Sequence, residues 1–179
     1  MGAELPEAYE EAGTHWDESE AGCWNREAER RKKGGMELEI RTEPWKEWLD
    51  ASASFAGLGG EKQKAVHQNA VKRIAVPAVF VMVRKDGKTA GCAYGALERG
   101  LVGIYDLHVG EKFRCQGLGR TLCQAVLQFG TENGAKEAYL VVHSQNSNAI
   151  RLYQKLNISL LYTYDFYQLE QCGYEMEDA

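Results

Sequence analysis

The sequence predicts an α/β protein with a mixed sheet of about six strands flanked by about four helices. Three observations carry that expectation. Segments of period-2 or continuous apolar character alternate with segments of helical period in the order βααβββαβαβ, which suits a layered sheet with helical crossovers. Asp86-Gly87 and Glu98-Arg99-Gly100 join three successive apolar runs as tight turns, so the middle of the sheet is antiparallel. The later strands are separated by helices, which requires parallel crossovers.

Taken in order, residues 1–35 are rich in Glu and Ala and end in Glu29-Arg-Arg-Lys-Lys-Gly-Gly35. This composition predicts a flexible extension and linker, on which Trp16 and Trp24 are docking candidates. Met36 opens the regular pattern and is a candidate internal translation start. The folded domain is expected over 36–170, with 171–179 as a tail.

Met36 to Arg41 alternates as a short strand. Thr42 offers a helix cap, Pro44 suits a first turn, and Trp45, Trp48 and Leu49 share a face. A second helix, about Glu61 to Ile74, would turn Val66, Ala70, Val71 and Ile74 inward and stop before Pro77. Ala78 to Arg84 is a continuous apolar run, as expected of a strand covered on both faces. The next strands are Thr89 to Leu97 and Leu101 to Val109. A helix follows with Leu118, Leu122, Ala125, Val126 and Phe129 on one stripe, ending at Asn133-Gly134. Ala138 to His143 reads as a strand, and Asn146 to Asn157 as a helix with Asn157 in the left-handed position. The alternating aromatic stretch Leu160 to Leu169 reads as the last strand.

With 179 residues and 44% hydrophobic content, the chain has enough material for one well-buried core. A net charge of −5 argues against nucleic acid as the main partner, because phosphate backbones require a basic face. The five cysteines, Cys23, Cys92, Cys115, Cys123 and Cys172, are odd in number and widely spaced. They predict reduced thiols in a cytoplasmic protein and neither a disulfide scaffold nor a metal site. No apolar run has the length of a membrane span, and the acidic N-terminus does not read as a signal peptide.

The stretch Val109-Gly-Glu-Lys-Phe-Arg-Cys-Gln-Gly-Leu-Gly-Arg120 joins a strand to a helix. Gly117 and Gly119 permit a sharp turn and a close approach to main-chain N–H groups. A helix start adds unpaired donors and partial positive charge, so the segment has the properties of an anion site. An ordinary left-handed turn into a helix has the same local signature.

Two motifs together widen the reading. Arg114-Cys-Gln-Gly117-Leu-Gly119 resembles the Gln/Arg-x-x-Gly-x-Gly/Ala loop of the GCN5-related N-acetyltransferases. Asn146-Ser-Asn-Ala149-Ile-Arg-Leu152-Tyr153-Gln-Lys155-Leu-Asn157-Ile158 resembles that family's Asn-x-x-Ala-x-x-Leu-Tyr-x-Lys-x-Gly-Phe segment. The likeness covers about residues 36 to 169. Glu111 stands where the family often has proline, and Asn157-Ile158 replaces Gly-Phe.

The resemblance implies transfer of acetyl from acetyl-CoA to a primary amine in a ternary complex, without a metal. It implies that the main chain of Leu107, His108 and Val109 pairs with the pantetheine arm. Arg114, Cys115, Gln116, Gly117, Leu118, Gly119 and Arg120 would hold the pyrophosphate, and Asn146 would bind the arm near its thiol end. Tyr153 would protonate the leaving thiolate, a suitable role for a phenol of pKa about 10. Asp106 is the first candidate for a further catalytic role, with His108, Glu98 and His143 as other candidates for the base. Cys115 is the alternative nucleophile for a covalent route.

The resemblance also implies an acceptor pocket lined by the two early helices and the last strand, which contribute Trp45, Trp48, Phe55, Tyr162 and Tyr164, most of them expected to be core. That acceptor is expected to be a small-molecule amine, with a peptide amine or a non-catalytic CoA-binding module as alternatives. A second copy of the chain is a candidate to complete the sheet edge as a homodimer.

Overall fold

The computed structural model describes residues 2–4, 28–33 and 35–165. In chain order these form β1 (Gly2–Glu4), β2 (Ala28–Lys33), β3 (Met36–Arg41), α1 (Lys46–Phe55), α2 (Glu61–Lys72), β4 (Ala78–Lys85) and β5 (Lys88–Glu98). Then follow β6 (Leu101–Val109), a short 3-10 turn (Glu111–Phe113), α3 (Leu118–Glu132), β7 (Glu137–Leu140) and α4 (Ser147–Gln154). The strands make one mixed sheet of order β1-β7-β6-β5-β4-β3-β2. Among the described residues it has seven strands, against the six expected, because an N-terminal strand is added at each edge and no strand forms over 160–165.

The core has two layers, one on each face of the sheet. On one face, Leu38, Ile40, Val79, Val81 and Val83 alternate inward and meet Leu118, Leu122, Val126 and Phe129 of α3, together with Tyr153 of α4. The expected stripe of α3 is therefore the buried one. On the other face, Phe80, Met82 and Cys92 pack under Trp48 and Leu49 of α1 and Val71 of α2. Trp48 is fully buried, edge-on to Phe80 at 5.1 Å and to Tyr94 at 5.9 Å. Its indole Nε1 donates to the carbonyls of Val81 and Ala93, which satisfies the one polar group it buries.

Several expectations are corrected. Residues 28–33, read as linker, pair along their whole length with β3. The physical reason is a carboxylate: Glu39 of β3 is fully buried, and Arg30 of β2 joins Arg41 and Arg84 around it. The expected strand from Leu160 to Leu169 is not formed over 160–165, and 166–169 lie outside the described residues. A strand requires a partner ladder, and the free edge of β7 is taken by β1, with Gly2 opposite Tyr139. Leu160, Leu161, Tyr162 and Tyr164 are accordingly exposed. The first helix begins at Lys46, after Pro44, with Trp45 at its cap position in place of Thr42.

The second helix is rotated from its expected face. Val66 is 63% exposed and Val71 is buried, so His67, one turn before Val71, points toward the sheet.

Candidate active site

The site is built around an irregularity in β6. Tyr94 of β5 faces Tyr105 and Cys92 faces His108, so Asp106 and Leu107 together oppose Ala93. That is a β-bulge, with two residues against one. Asp106 takes a left-handed φ of 46°, a conformation that residues with a Cβ rarely adopt. The extra residue resets the alternation. Val102 and Ile104 before it, and Leu107 and Val109 after it, face α3. Asp106 therefore turns to the opposite face, where it meets side chains of α1 and α2.

Ser52 Oγ of α1 donates to Asp106 Oδ2 at 2.9 Å, and His67 Nε2 of α2 lies 2.7 Å from the same oxygen. Ser52 is fully buried, and the Asp106 side chain keeps a quarter of its surface exposed. The shared face of Asp106 and His108 is as expected. Burial pushes the His108 imidazole below the usual histidine range, the Asp106 carboxylate opposes that shift, and His67 adds to it. His67 was not among the residues singled out from the sequence. The signal available was its spacing of four from Val71 on the buried side of α2.

The bulge also lies where the sheet opens. β6 and β7 are paired in parallel only from Leu101–Glu137 to Ile104–Leu140. Beyond that point β6 continues to Val109, while β7 has ended. The main chain of 105–109 thus keeps its β5 ladder on one edge, and on the other no described strand pairs with it. An extended ligand can add there like a strand. Leu107, His108 and Val109 occupy that edge.

The glycine loop follows at once. Phe113 N–H closes the 3-10 turn on Gly110 O, and Arg114 Nε donates to Val109 O. Cys115 and Gly117 have φ of 59° and 82°, so the chain makes two left-handed steps before α3 begins at Leu118. A nest of main-chain N–H groups at a helix start is a ready anion site. No side chain caps this helix start. Gly119 permits a close approach. A Cβ there would lie 3.1 Å from Leu152 Cδ2 and 3.8 Å from Val109 Cγ2, so strand, loop and α4 come together at this residue. Lys85 of β4, also missed from the sequence, hydrogen-bonds Gln116 Oε1 and adds a cation to the loop. Cys115 is exposed.

On α4, Asn146 accepts a hydrogen bond from Ala149 N–H at 3.2 Å, the capping role that its type and position allow. Tyr153 is 6% exposed among the α3-side core residues. Burial raises its pKa well above the ordinary tyrosine value, and nearby Cys123 adds to the rise, so the phenol keeps its proton at neutral pH. Tyr153 and the Asp106 carboxylate lie on opposite faces of the sheet, separated by the opening between β6 and β7. Of the other base candidates, Glu98 ends β5 and acts electrostatically on Tyr105, and His143 follows β7, where its Nδ1 accepts from Gln145 N–H; among the described hydrogen bonds neither reaches Asp106.

The aromatic residues expected around the acceptor divide. Trp48 is core, and Trp45 carries the Arg41 guanidinium 4.6 Å above its ring. The aromatic wall beside Asp106 is instead Tyr94 stacked on Tyr105 at 4.9 Å, with Tyr139 edge-on and its hydroxyl bonded to that of Tyr105. A cavity of about 290 Å³ lies elsewhere, lined by Thr42, Val71, Ile74, Phe80 and Phe129 among others, and borders none of the candidate residues. Among the described residues, no group of His, Cys, Asp and Glu has the makings of a metal site, and no helix is long and apolar enough to cross a membrane.

Comparison with known proteins agrees with this geometry. Residues 36–158 match the model of the acetyltransferase (GNAT) family. Over 117 residues the chain is 26% identical to the uncharacterized N-acetyltransferase YobR of Bacillus subtilis, a match covering 65% of this chain and 47% of the relative. Over 83 residues it is 35% identical to streptothricin acetyltransferase of Streptomyces lavendulae, covering 45% of this chain and 43% of the relative. The matched region thus spans less than half the length of these relatives. Among solved structures, aminoglycoside acetyltransferase AAC(6')-Iy in complex with the bisubstrate analogue CoA-S-monomethyl-acetylneamine superimposes with a TM-score of 0.59. That likeness has 18% identity and covers 74% of this chain and 98% of the other. With the family model matched across most of the described sheet and both motif-bearing helices, the chain belongs to the acetyltransferase (GNAT) family.

Proposed function

We propose that the protein is an acetyl-CoA-dependent N-acetyltransferase acting on a primary amine, most simply a small cationic molecule, by direct transfer. The observation that carries this reading is the edge of β6 at 105–109, which no described strand covers, running into the left-handed entry of α3. It is a continuous main-chain track for an extended arm ending in a diphosphate. Acetyl-CoA supplies the activated acyl group. The edge of Leu107, His108 and Val109 orients the arm, and the N–H groups of Cys115 to Arg120 hold the diphosphate, with Arg114 and Lys85 beside them. Asn146, already a helix cap, is placed to receive the arm as well.

The chemistry divides between the two faces. The amine enters from the α1/α2 side, where Asp106 binds its ammonium and draws off a proton. The free amine attacks the acetyl carbon, forming the C–N bond, and a main-chain N–H of the β6 edge stabilises the oxyanion. The C–S bond then breaks, Tyr153 donates its proton to the departing sulfur, and the nitrogen loses its second proton to water, leaving a neutral amide and a free thiol while Tyr153 is reprotonated from solvent. The relatives named for streptothricin and for an aminoglycoside support a cationic acceptor. Cys92, Cys115 and Cys123 as free thiols support a reducing, cytoplasmic setting.

A peptide amine is the second reading.

Free-thiol release over an amine panel tests the assignment. Tyr153→Phe is expected to lower kcat about 10²-fold or more with acetyl-CoA binding preserved. Unchanged thiol release in that variant refutes the acid role.

A further inference from the structure

The Asp106 carboxylate has two oxygens, and the described residues occupy only one. Oδ2 receives both Ser52 Oγ and His67 Nε2, whereas no described residue bonds Oδ1. The same cluster fixes the state of His67. Its Nδ1 is buried without a hydrogen-bond partner among the described residues. A proton on that nitrogen would be a buried donor with no acceptor, whereas a bare lone pair there costs less. The ring proton therefore sits on Nε2 and points at Asp106. Three elements contribute: buried Ser52 from α1, His67 from α2, and Asp106 from a bulge held at an unfavourable φ. A strained, doubly anchored carboxylate with one open oxygen, beside the opening of the sheet, is an arrangement that fixes direction.

We propose that His67 and Ser52 are positioning residues that hold the Asp106 carboxylate so that Oδ1 receives the ammonium group of the acceptor. This rests on the transferase reading above and adds to it the part of the site that selects a cation. A swinging carboxylate would serve equally as a surface charge. A fixed one restricts the direction from which the amine can arrive.

The test has two arms on the full chain. In the first, long-range nitrogen–proton correlation spectra of protein labelled with ¹⁵N-histidine, recorded without ligand, are expected to show His67 in the Nε2–H tautomer. In the second, His67→Ala and His67→Gln are assayed with neamine, streptothricin and an alanine-terminated peptide as acceptors. His67→Ala is expected to raise KM for the amine about tenfold, the loss of one hydrogen bond to a charged group, with KM for acetyl-CoA unchanged. His67→Gln restores a side-chain N–H donor and is expected to recover most of that loss. An Nδ1–H tautomer overturns the proposed geometry alone. An unaltered amine KM in His67→Ala, or no recovery in His67→Gln, overturns the positioning role. If the wild type acetylates no amine in the panel, the transferase reading fails, and the role of the pair fails with it.

Discussion

Acid titration of the buried Glu39 carboxylate gives a sharp prediction. Arg84 Nη1 donates to its Oε2 at 2.6 Å, while Arg41 Nε at 3.1 Å and Arg30 Nη2 at 3.2 Å reach its Oε1. Burial alone would raise its pKa, but the three guanidiniums outweigh it and hold the carboxyl at about 2, against 4.5 when unfolded. Because the folded value is depressed, the stabilisation is fully present above the unfolded value and is lost as pH falls toward the folded one. At ~1.4 kcal/mol per unit, the shift amounts to about 3 kcal/mol, lost between about pH 4.5 and 2. Urea unfolding across that range is the assay, with Glu39→Gln as the comparison. The wild type should lose about that much more stability than the variant on acidification. Parallel pH profiles for the two proteins would refute the claim that this carboxylate is ionised in the folded state. A further consequence follows for β2. Arg30 is more than half exposed and Arg84 only 14%, so Arg84→Ala should cost more than Arg30→Ala.

Other outcomes are expected at the coenzyme loop. In Gly117→Ala the new Cβ meets nothing within 4 Å, so the cost is conformational only, about 1–2 kcal/mol from the φ of 82°. Calorimetry should show weaker acetyl-CoA binding with amine KM little changed; unaltered coenzyme affinity would mean the left-handed entry does not shape the anion site. Lys85→Ala should raise KM for acetyl-CoA several-fold, an effect that shrinks with added salt, since Lys85 sits on the loop through Gln116. A salt-independent effect would point to lost packing instead.

Much of the fold was legible because its signals are local. The stripe of α3 needs only a 3.6-residue period, and Asp86-Gly87 specifies a turn in which both residues take positive φ, at 50° and 75°. The two motif segments were legible for the same reason: each is contiguous, and each fixes its own backbone. What failed depends on partners distant in sequence. Ala28–Lys33 is too charged to read as a strand until Glu39 is seen to be buried beside it. Leu160 to Tyr164 alternates like a strand, yet β1 takes the edge it would need. His67 was invisible because the rotation of α2 is set by contacts with α1 and the bulge, and Val66 offered an equally plausible apolar face. Strand alternation singles out Asp106 as a candidate, although the reason it reaches α1 and α2 is a bulge that no periodicity reveals.

The central claim is transfer of an acetyl group to an amine. Its most direct test is mass spectrometry of an amine panel incubated with the purified protein and acetyl-CoA, with free thiol measured in the same tubes. The account predicts one acetylated amine for each thiol released, and loss of both together in Tyr153→Phe. Thiol released without acetylated amine, or neither product with any amine while acetyl-CoA still binds, would contradict it.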